Sequence, residues 1–194
     1  MAQSRWSTLK VAALGAAFFN PAFGNVVIAQ PADPDARAAA TEAAMTQDER
    51  TIMTRGILAI PLIAGPLPEG AVVGAGYVPG IPRLGVPALK ETDASLGVSY
   101  VGGMRGDGGA TALPSGMAIA ATWNPALART GGAMIAGEAR AKGFNVLLAG
   151  GVNLMREPRN GRTFEYLGED PLLAGKMAGA SIAGIQSRNI LSTV

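Results

Sequence analysis

The sequence predicts an α/β fold built on a parallel sheet, and three consecutive stretches carry that prediction. Phe144–Ala149 is a continuous apolar run, of the kind that a parallel sheet buries on both faces. A helical pattern over Pro171–Gln186 follows it, and Asn189–Val194 then begins another strand. Strand, helix and strand in this order make a βαβ unit, whose two strands lie parallel in one sheet.

The first elements of the chain combine a helix signal with a region that breaks regular structure. Thr46 with Glu49 three residues later fits a capping box, which predicts a helix from about Gln47 to Leu58. The stretch Ile60–Gly85 is rich in Pro and Gly and is predicted to be a long loop.

A short buried strand is predicted next, over Leu84–Lys90, and it ends at Glu91-Thr92-Asp93. Residues 97–116 are again rich in Gly and carry Arg105 and Asp107. They contain neither a P-loop motif nor a dinucleotide-binding motif, so we expect a flexible loop rather than a phosphate cradle.

Three helix signals follow in the second half of the chain. Met117–Thr122 predicts a short helical turn. Asn124-Pro125 is an N-cap followed by Pro, and it predicts a helix to Lys142 that Gly143 ends. Asp170-Pro171 repeats this signal at the start of the helix that runs to Gln186.

A charged segment, residues 156–171, separates the strand and the helix of the βαβ unit. It holds seven of the thirty charged residues of the chain: Arg156, Glu157, Arg159, Arg162, Glu165, Glu169 and Asp170. A solvated surface loop explains such a cluster. However, α/β proteins place binding groups at strand-to-helix junctions, so a ligand-binding loop explains it equally well.

His and Cys are both absent, and their absence restricts the possible chemistry. A Ser-His-Asp triad, a thiol nucleophile, a Cys/His zinc site and a disulfide are therefore excluded. Asp, Glu, Lys and Tyr remain for acid–base work. We expect a carboxylate-based mechanism, or key groups that lie elsewhere, and no cofactor.

Residues 1–29 are predicted to be a secretory signal peptide, and residues 30–44 a linker or the first turns of a helix. The leader has a basic start, the apolar run Val11–Phe19 and a small-residue cleavage site before Gln30. Because Asn20 and Pro21 interrupt the run, no stable membrane span is expected after cleavage. Cleavage removes two basic and no acidic residues, which leaves 14 of each. A nucleic-acid partner is therefore not expected, and localisation is predicted to be periplasmic or secreted.

The chain ends at Val194, inside a predicted strand. A parallel sheet needs neighbours on both sides, and two or three strands do not provide them. We therefore expect residues 45–194 to be the N-terminal portion of a longer domain.

Several ordered blocks between about Met45 and Val194 resemble the N-terminal domain of family 3 glycoside hydrolases, the bacterial β-glucosidase group. The blocks are Ala118–Pro125, Gly137–Gly143, Asn153-Leu154, Gly161–Glu165, Glu169–Pro171 and Gly184–Ser187. The resemblance implies a truncated (β/α)₈ TIM-type barrel with sugar bound at the carboxyl ends of its strands.

The resemblance also implies roles for individual residues. Asp93 and Arg162 are expected to bind hydroxyls of the non-reducing-end sugar, and both follow predicted strands. Glu165 would orient Arg162 or a neighbouring lysine, whereas Glu169 and Asp170 fit the start of a helix. The aromatic side chains of Phe164, Tyr166 and Trp123 would either pack in the barrel or stack on sugar.

Family members are retaining enzymes with a carboxylate nucleophile and a separate acid/base, and both groups are expected beyond Val194. The resemblance thus implies the N-terminal part of a β-glucosidase that hydrolyses terminal non-reducing β-D-glucosyl residues. The substrate would be a β-glucoside or oligosaccharide, and the fragment itself would be inactive. A β-xylosidase, a β-N-acetylglucosaminidase and a non-catalytic carbohydrate-binding remnant are alternatives, and the sequence leaves the oligomeric state open.

Overall fold

The computed structural model describes residues 33–194, of which residues 40–194 form one compact unit. The predicted signal peptide lies outside the described residues. Of the two alternatives for residues 30–44, the structure shows a helix, α1 (Pro34–Ala43), in which no residue is buried. Among the helices of residues 33–194, none has the length and apolarity to cross a membrane.

A four-stranded sheet forms the centre of the structure, with the strands in the order β1-β2-β3-β4. The strands are β1 (Gly76–Val78), β2 (Leu89–Asp93), β3 (Val146–Leu148) and β4 (Leu191–Thr193). The pairs β2–β3 and β3–β4 are parallel, which confirms the predicted βαβ unit. Strand β1 runs antiparallel to β2.

Within residues 33–194, the sheet is accompanied by five further helices and three 3₁₀ turns. The helices are α2 (Gln47–Met53), α3 (Pro61–Ala64), α4 (Gly116–Ala120), α5 (Pro125–Ala141) and α6 (Pro171–Gln186). The 3₁₀ turns are Pro82–Leu84, Val101–Gly103 and Thr163–Glu165.

The predicted caps of the two long helices are present. The Asn124 side chain accepts hydrogen bonds from the amides of Ala126 and Leu127, at 3.0 and 3.2 Å. The Asp170 side chain caps α6 in the same way, at 2.7 and 3.0 Å from two first-turn amides. Gly143 follows α5 with a φ of 89°, in the left-handed region that favours glycine.

The capping box at Thr46 is also confirmed, but the predicted extension of this helix to Leu58 is wrong. Helix α2 ends at Met53. Soon after that point, the chain turns extended, and the amides of Ile57 and Tyr77 each donate to the other residue's carbonyl, at 3.0 and 2.9 Å. This distant backbone pairing ends the helical pattern, and no local sequence signal shows it.

The predicted long loop and the strand after it also need correction. Strand β1 and short helical turns lie within Ile60–Gly85, so this stretch is not wholly irregular. The following strand covers Leu89–Asp93, further along the chain than predicted. Gly85 has a left-handed φ of 69°, and Pro87 has no amide to donate to a ladder, so pairing begins only after them.

The core lies between the sheet and the two long helices. Leu147 of β3 is fully buried and packs in one cluster with Ile135 of α5 and Ile185 of α6. Thr92, its register partner on β2, is also fully buried. Because neighbouring side chains on a strand point to opposite faces, Asp93 projects from the other face of the sheet.

Helices α5 and α6 approach so closely that glycine is required where they meet. A Cβ added to Gly184 would overlap the carbonyl oxygen of Arg129, and one added to Gly132 would overlap that of Ser181. Each helix therefore accepts the backbone of the other at a position without a side chain.

We predict that Gly184→Ala lowers the free energy of unfolding by about 2 kcal/mol or more, because the new methyl group must push the two helix backbones apart. Gly175→Ala on the same helix is the matched control, since an added Cβ there has no neighbour within 4 Å. The control should raise stability by about 0.5–1 kcal/mol, the usual gain from replacing Gly by Ala within a helix. Thermal unfolding of the two variants checks the prediction, and equal shifts in the two would contradict it.

Candidate functional site

The parallel strands end together at one edge of the sheet, where an open cavity of about 290 Å³ lies. Asp93, Leu148 and Thr193 are register partners at the carboxyl ends of β2, β3 and β4, and all three line this cavity. The loop that follows β3 forms much of the remaining wall. Side chains from distant parts of the sequence thus meet at one place.

The loop from β3 to α6 carries Arg162 to this edge, and backbone contacts fix its shape. The amide of Met155 donates to the carbonyl of Gly168 at 3.0 Å, which closes the base of the loop. Near its end, the Asn160 side chain accepts the amide of Arg162 at 3.1 Å. An Asx turn of this kind sets the direction in which the Arg162 side chain leaves the backbone.

Arg162 forms a two-point ion pair with Glu165. Its Nε donates to Oε1 of Glu165 at 2.6 Å, and its Nη2 donates to Oε2 at 2.9 Å. The Arg162 side chain is 70% exposed, whereas that of Glu165 is 9% exposed. A bidentate pair fixes the plane of the guanidinium, and here the buried carboxylate is the anchor.

Glu165 is itself held from several sides. Its carboxylate also accepts a hydrogen bond from Ser95, which lies two residues after Asp93. A Cβ on Gly151 would stand 3.1 Å from the Glu165 side chain and 2.8 Å from the ring of Tyr166. The carboxylate is therefore packed between the loops that follow β2 and β3.

These contacts shift the ionisation of both partners. The hydrogen bond from Arg162 is the largest cause that lowers the pKa of Glu165 below its ordinary value, burial opposes it, and Ser95 contributes further. The hydrogen bond to Glu165 raises the pKa of Arg162, with a smaller contribution from the nearby charge of Asp93. Both groups of the pair are charged at neutral pH.

The structure brings the two sequence-predicted site residues, Asp93 and Arg162, to the same cavity. Of the two possible partners for Glu165, it shows Arg162. Asp170 caps α6 as predicted. The cavity is also lined by Ser95, Asn153 and Thr193. These three residues were not assigned to the site from the sequence, although each lies in a motif or near a predicted strand end.

The three aromatic side chains of the sequence prediction separate in the structure. Tyr166 is buried and lines the cavity, whereas Phe164 and Trp123 are exposed, and neither of them lines it. Packing therefore accounts for Tyr166, and stacking of Phe164 or Trp123 on a ligand stays a prediction.

The cavity offers a carboxylate and a guanidinium side by side, with uncharged polar groups around them. Such a set accepts and donates several hydrogen bonds at once, which suits a ligand with neighbouring hydroxyl groups. Within residues 33–194, no group of three or more acidic side chains could hold a metal ion. The arrangement is suited to binding and orienting a polyhydroxylated ligand.

A comparison with protein families gives this site a context. The profile of the glycosyl hydrolase family 3 N terminal domain matches residues 81–194, more than half of the chain. The chain belongs to glycosyl hydrolase family 3. Asp93, Arg162 and Glu165 all lie inside the matched range.

Curated relatives within family 3 are β-glucosidases. A β-glucosidase of Rhizobium radiobacter is 41% identical over 114 residues, which is 59% of this chain and 14% of that protein. One of Bacteroides ovatus is 42% identical over 125 residues, 60% of this chain and 16% of that protein. The chain thus spans less than a fifth of the length of these relatives.

Solved family 3 structures share the fold. β-Glucosidase 3B of Thermotoga neapolitana, in complex with α-D-glucose, matches with a TM-score of 0.71 and 31% identity, over 80% of this chain and 22% of that one. The β-glucosidase DesR of Streptomyces venezuelae, in complex with D-glucose, matches with a TM-score of 0.67 and 34% identity, over 80% and 18%. The four-stranded sheet therefore corresponds to part of the family's TIM-type barrel.

We predict that the carboxyl group of Glu165 titrates below its ordinary pKa of 4.5 and that Arg162→Met brings the midpoint back towards that value. Since the folded pKa is lowered, the pair stabilises the fold above pH 4.5, and this contribution is lost as the pH falls through the folded pKa. Carboxyl-detected NMR titration measures the midpoint. Arg159→Met is the control, because Arg159 pairs with Glu157 instead, and an unchanged Glu165 midpoint in Arg162→Met would contradict the prediction.

Proposed function

We propose that this chain supplies the sugar-binding part of a retaining β-glucosidase, an enzyme that hydrolyses terminal non-reducing β-D-glucosyl residues. The observation that carries the proposal is that Asp93 and Arg162, which Glu165 anchors, line one cavity at the carboxyl edge of the parallel strands. In barrel enzymes, this edge is where substrate binds.

The cavity side chains have complementary tasks in this proposal. The carboxylate of Asp93 accepts hydrogen bonds from two neighbouring sugar hydroxyls. Arg162 uses Nε and Nη2 on Glu165, so its Nη1 remains to donate to a hydroxyl oxygen. These charge-assisted bonds hold the sugar in one orientation, which places its anomeric carbon for attack.

The bond-breaking groups lie outside residues 33–194 in this proposal. In a retaining mechanism, a carboxylate attacks the anomeric carbon and forms a glycosyl-enzyme, while an acid protonates the leaving oxygen. The same acid/base then activates the water that releases the sugar. Within the described residues, Asp93 is the acidic side chain that lines the sugar cavity. Glu165 lines a neighbouring, mainly apolar cavity, and its carboxylate is paired with Arg162.

The family relatives support glucose as the sugar. The Thermotoga and Streptomyces structures are complexes with glucose. The curated relatives are described as β-glucosidases. A xyloside and an N-acetylglucosaminide are competing substrates, since each shares some of the ring hydroxyls of glucose that Asp93 and Arg162 would bind.

We predict that the 194-residue chain binds D-glucose and that Asp93→Asn or Arg162→Met weakens binding about tenfold or more, since each removes charge-assisted hydrogen bonds. Titration calorimetry or ligand-detected NMR gives the affinities, with xylose and N-acetylglucosamine as competing sugars. Arg159→Met is the matched control and should bind as the unmodified chain does.

Three results would contradict the proposal. Equal glucose affinity in the control and in Arg162→Met would remove Arg162 from the site. Turnover of an aryl β-glucoside by the 194-residue chain, above a matched blank, would show that its catalytic carboxylates lie within it. A preference for one of the competing sugars would replace glucose as the substrate.

We further propose that residues 1–29 are an export signal, as their basic and apolar segments suggest, and that the protein acts in the periplasm or outside the cell. In a cell that exports it, the mature protein should then begin at Gln30. Intact-protein mass spectrometry of the exported fraction measures this start, and a protein that retains Met1–Ala29 in that fraction would contradict it.

A further inference from the structure

A second charged cavity lies at the opposite edge of the sheet, away from Asp93 and Arg162. Arg105 and Asp107 belong to the loop between β2 and α4, and Lys142 directly follows α5. Phe144, against which Arg105 packs, precedes the amino end of β3. Because the strands are parallel, this end is remote from their carboxyl ends, so the two cavities are separate sites.

Arg105 is buried to a degree that is unusual for an arginine. Its side chain is 5% exposed, and its Cζ lies 5.3 Å from the centroid of the Phe144 ring. Its Nε donates to Oδ2 of Asp107. Arginine is almost never fully buried unless its donors are paired, because removal of a charge from water is costly.

The outer nitrogens of this guanidinium have no such pairing. Among the residues that the structure describes, neither Nη1 nor Nη2 of Arg105 has a hydrogen-bond partner. Together they carry four N–H donors in one plane. A buried donor without an acceptor is strongly unfavourable, so these atoms point to an acceptor that residues 33–194 do not supply.

The surroundings of Arg105 provide room and a second cation. The side chain lines a cavity of about 520 Å³ together with Lys142 and Asp107. The Nζ of Lys142 lies 3.2 Å from Oδ2 of Asp107, so two cations share one carboxylate. Burial opposes the ionisation of Asp107, but the hydrogen bonds from Arg105 and Lys142 outweigh it and lower the pKa of this carboxyl.

Glu138 also lines the cavity, but its carboxylate is already bound. It accepts the amide and the hydroxyl of Thr111, at 3.0 and 2.6 Å. It makes no hydrogen bond to the outer nitrogens of Arg105. The glycines of the same loop leave space around them, since a Cβ on Gly106, Gly108 or Gly109 would have no neighbour within 4 Å. No side chain at these three positions obstructs a small ligand.

We propose that this cavity binds a small oxyanion, a phosphate or a carboxylate, between the Nη1 and Nη2 groups of Arg105 and the ammonium of Lys142. A guanidinium fork matches two oxygens of such a ligand, and Asp107 already shows that both cations pair with a carboxylate oxygen. The ligand supplies the acceptors that Arg105 lacks. The site is independent of the sugar cavity.

The test measures the thermal midpoint of the 194-residue chain in phosphate, acetate or chloride at constant ionic strength. At about ten times the Kd, a specific oxyanion should raise the midpoint by about 3–5 °C over chloride. Arg105→Lys keeps the charge but removes the fork, so the increase should disappear. Lys142→Met should reduce it, whereas Arg159→Lys, which changes an exposed arginine, should retain it.

The pattern of results decides both the proposal and the ligand. An increase in phosphate alone indicates a phosphate ligand, and one in acetate alone indicates a carboxylate. Equal midpoints in all three salts, or an increase that persists in Arg105→Lys, would overturn the proposal. If Arg105→Lys does not fold, phosphate titration of the unmodified chain and of Lys142→Met by calorimetry replaces it, and equal affinities in these two would also overturn the proposal.

Discussion

The parallel register of β2, β3 and β4 is the constraint on which the rest of the structure depends. It sets Asp93, Leu148 and Thr193 side by side, so that the loops after β2 and β3 leave the sheet from one edge. A shift of one residue in any strand would turn its side chains to the opposite face. Asp93 would then point towards the helices, where its charge would be buried, and Thr92 would face the cavity instead. The hydrophobic core and the sugar site therefore select the same register.

The close packing of α5 and α6 maintains that register from outside the sheet. Gly132 and Gly184 let the two helix backbones meet, which allows both helices to cover the same three short strands. The helices begin at Asn124 and Asp170, near the edge where the strands end, because each helix returns along the sheet. The caps at these residues thus fix the points at which the site loops must arrive. Helix packing and loop position are coupled through the helix starts.

The features that the sequence predicted are those that local chemistry decides. The caps at Thr46, Asn124 and Asp170 depend on side chains and amides within three residues, and all three are present. Strand β1 was missed because it has three residues and lies within a stretch rich in Pro and Gly, which predicts a loop. Arg105 was assigned to a flexible loop because no motif surrounds it. Arg105 packs on Phe144, and Lys142 donates to the carbonyl of Asp107 in the same loop; the sequence places both partners far from the loop.

Three arginines of this chain show that the anchoring of a carboxylate, more than the geometry of an ion pair, determines what the pair can do. Arg159 donates two side-chain hydrogen bonds to Glu157, as Arg162 does to Glu165. However, the side chains of Arg159 and Glu157 are 88% and 53% exposed. That pair can move as a unit, and exposed pairs of this kind contribute little. Glu165 is buried and held by Ser95, so Arg162 presents its free donors to the cavity in a fixed direction. At Arg105 the burial is reversed, because the guanidinium is enclosed and the carboxylate of Asp107 is the more exposed partner. Its outer nitrogens are consequently buried and have no acceptor among the described residues, so in the proposed site the ligand reaches them through the cavity that Arg105 and Lys142 line.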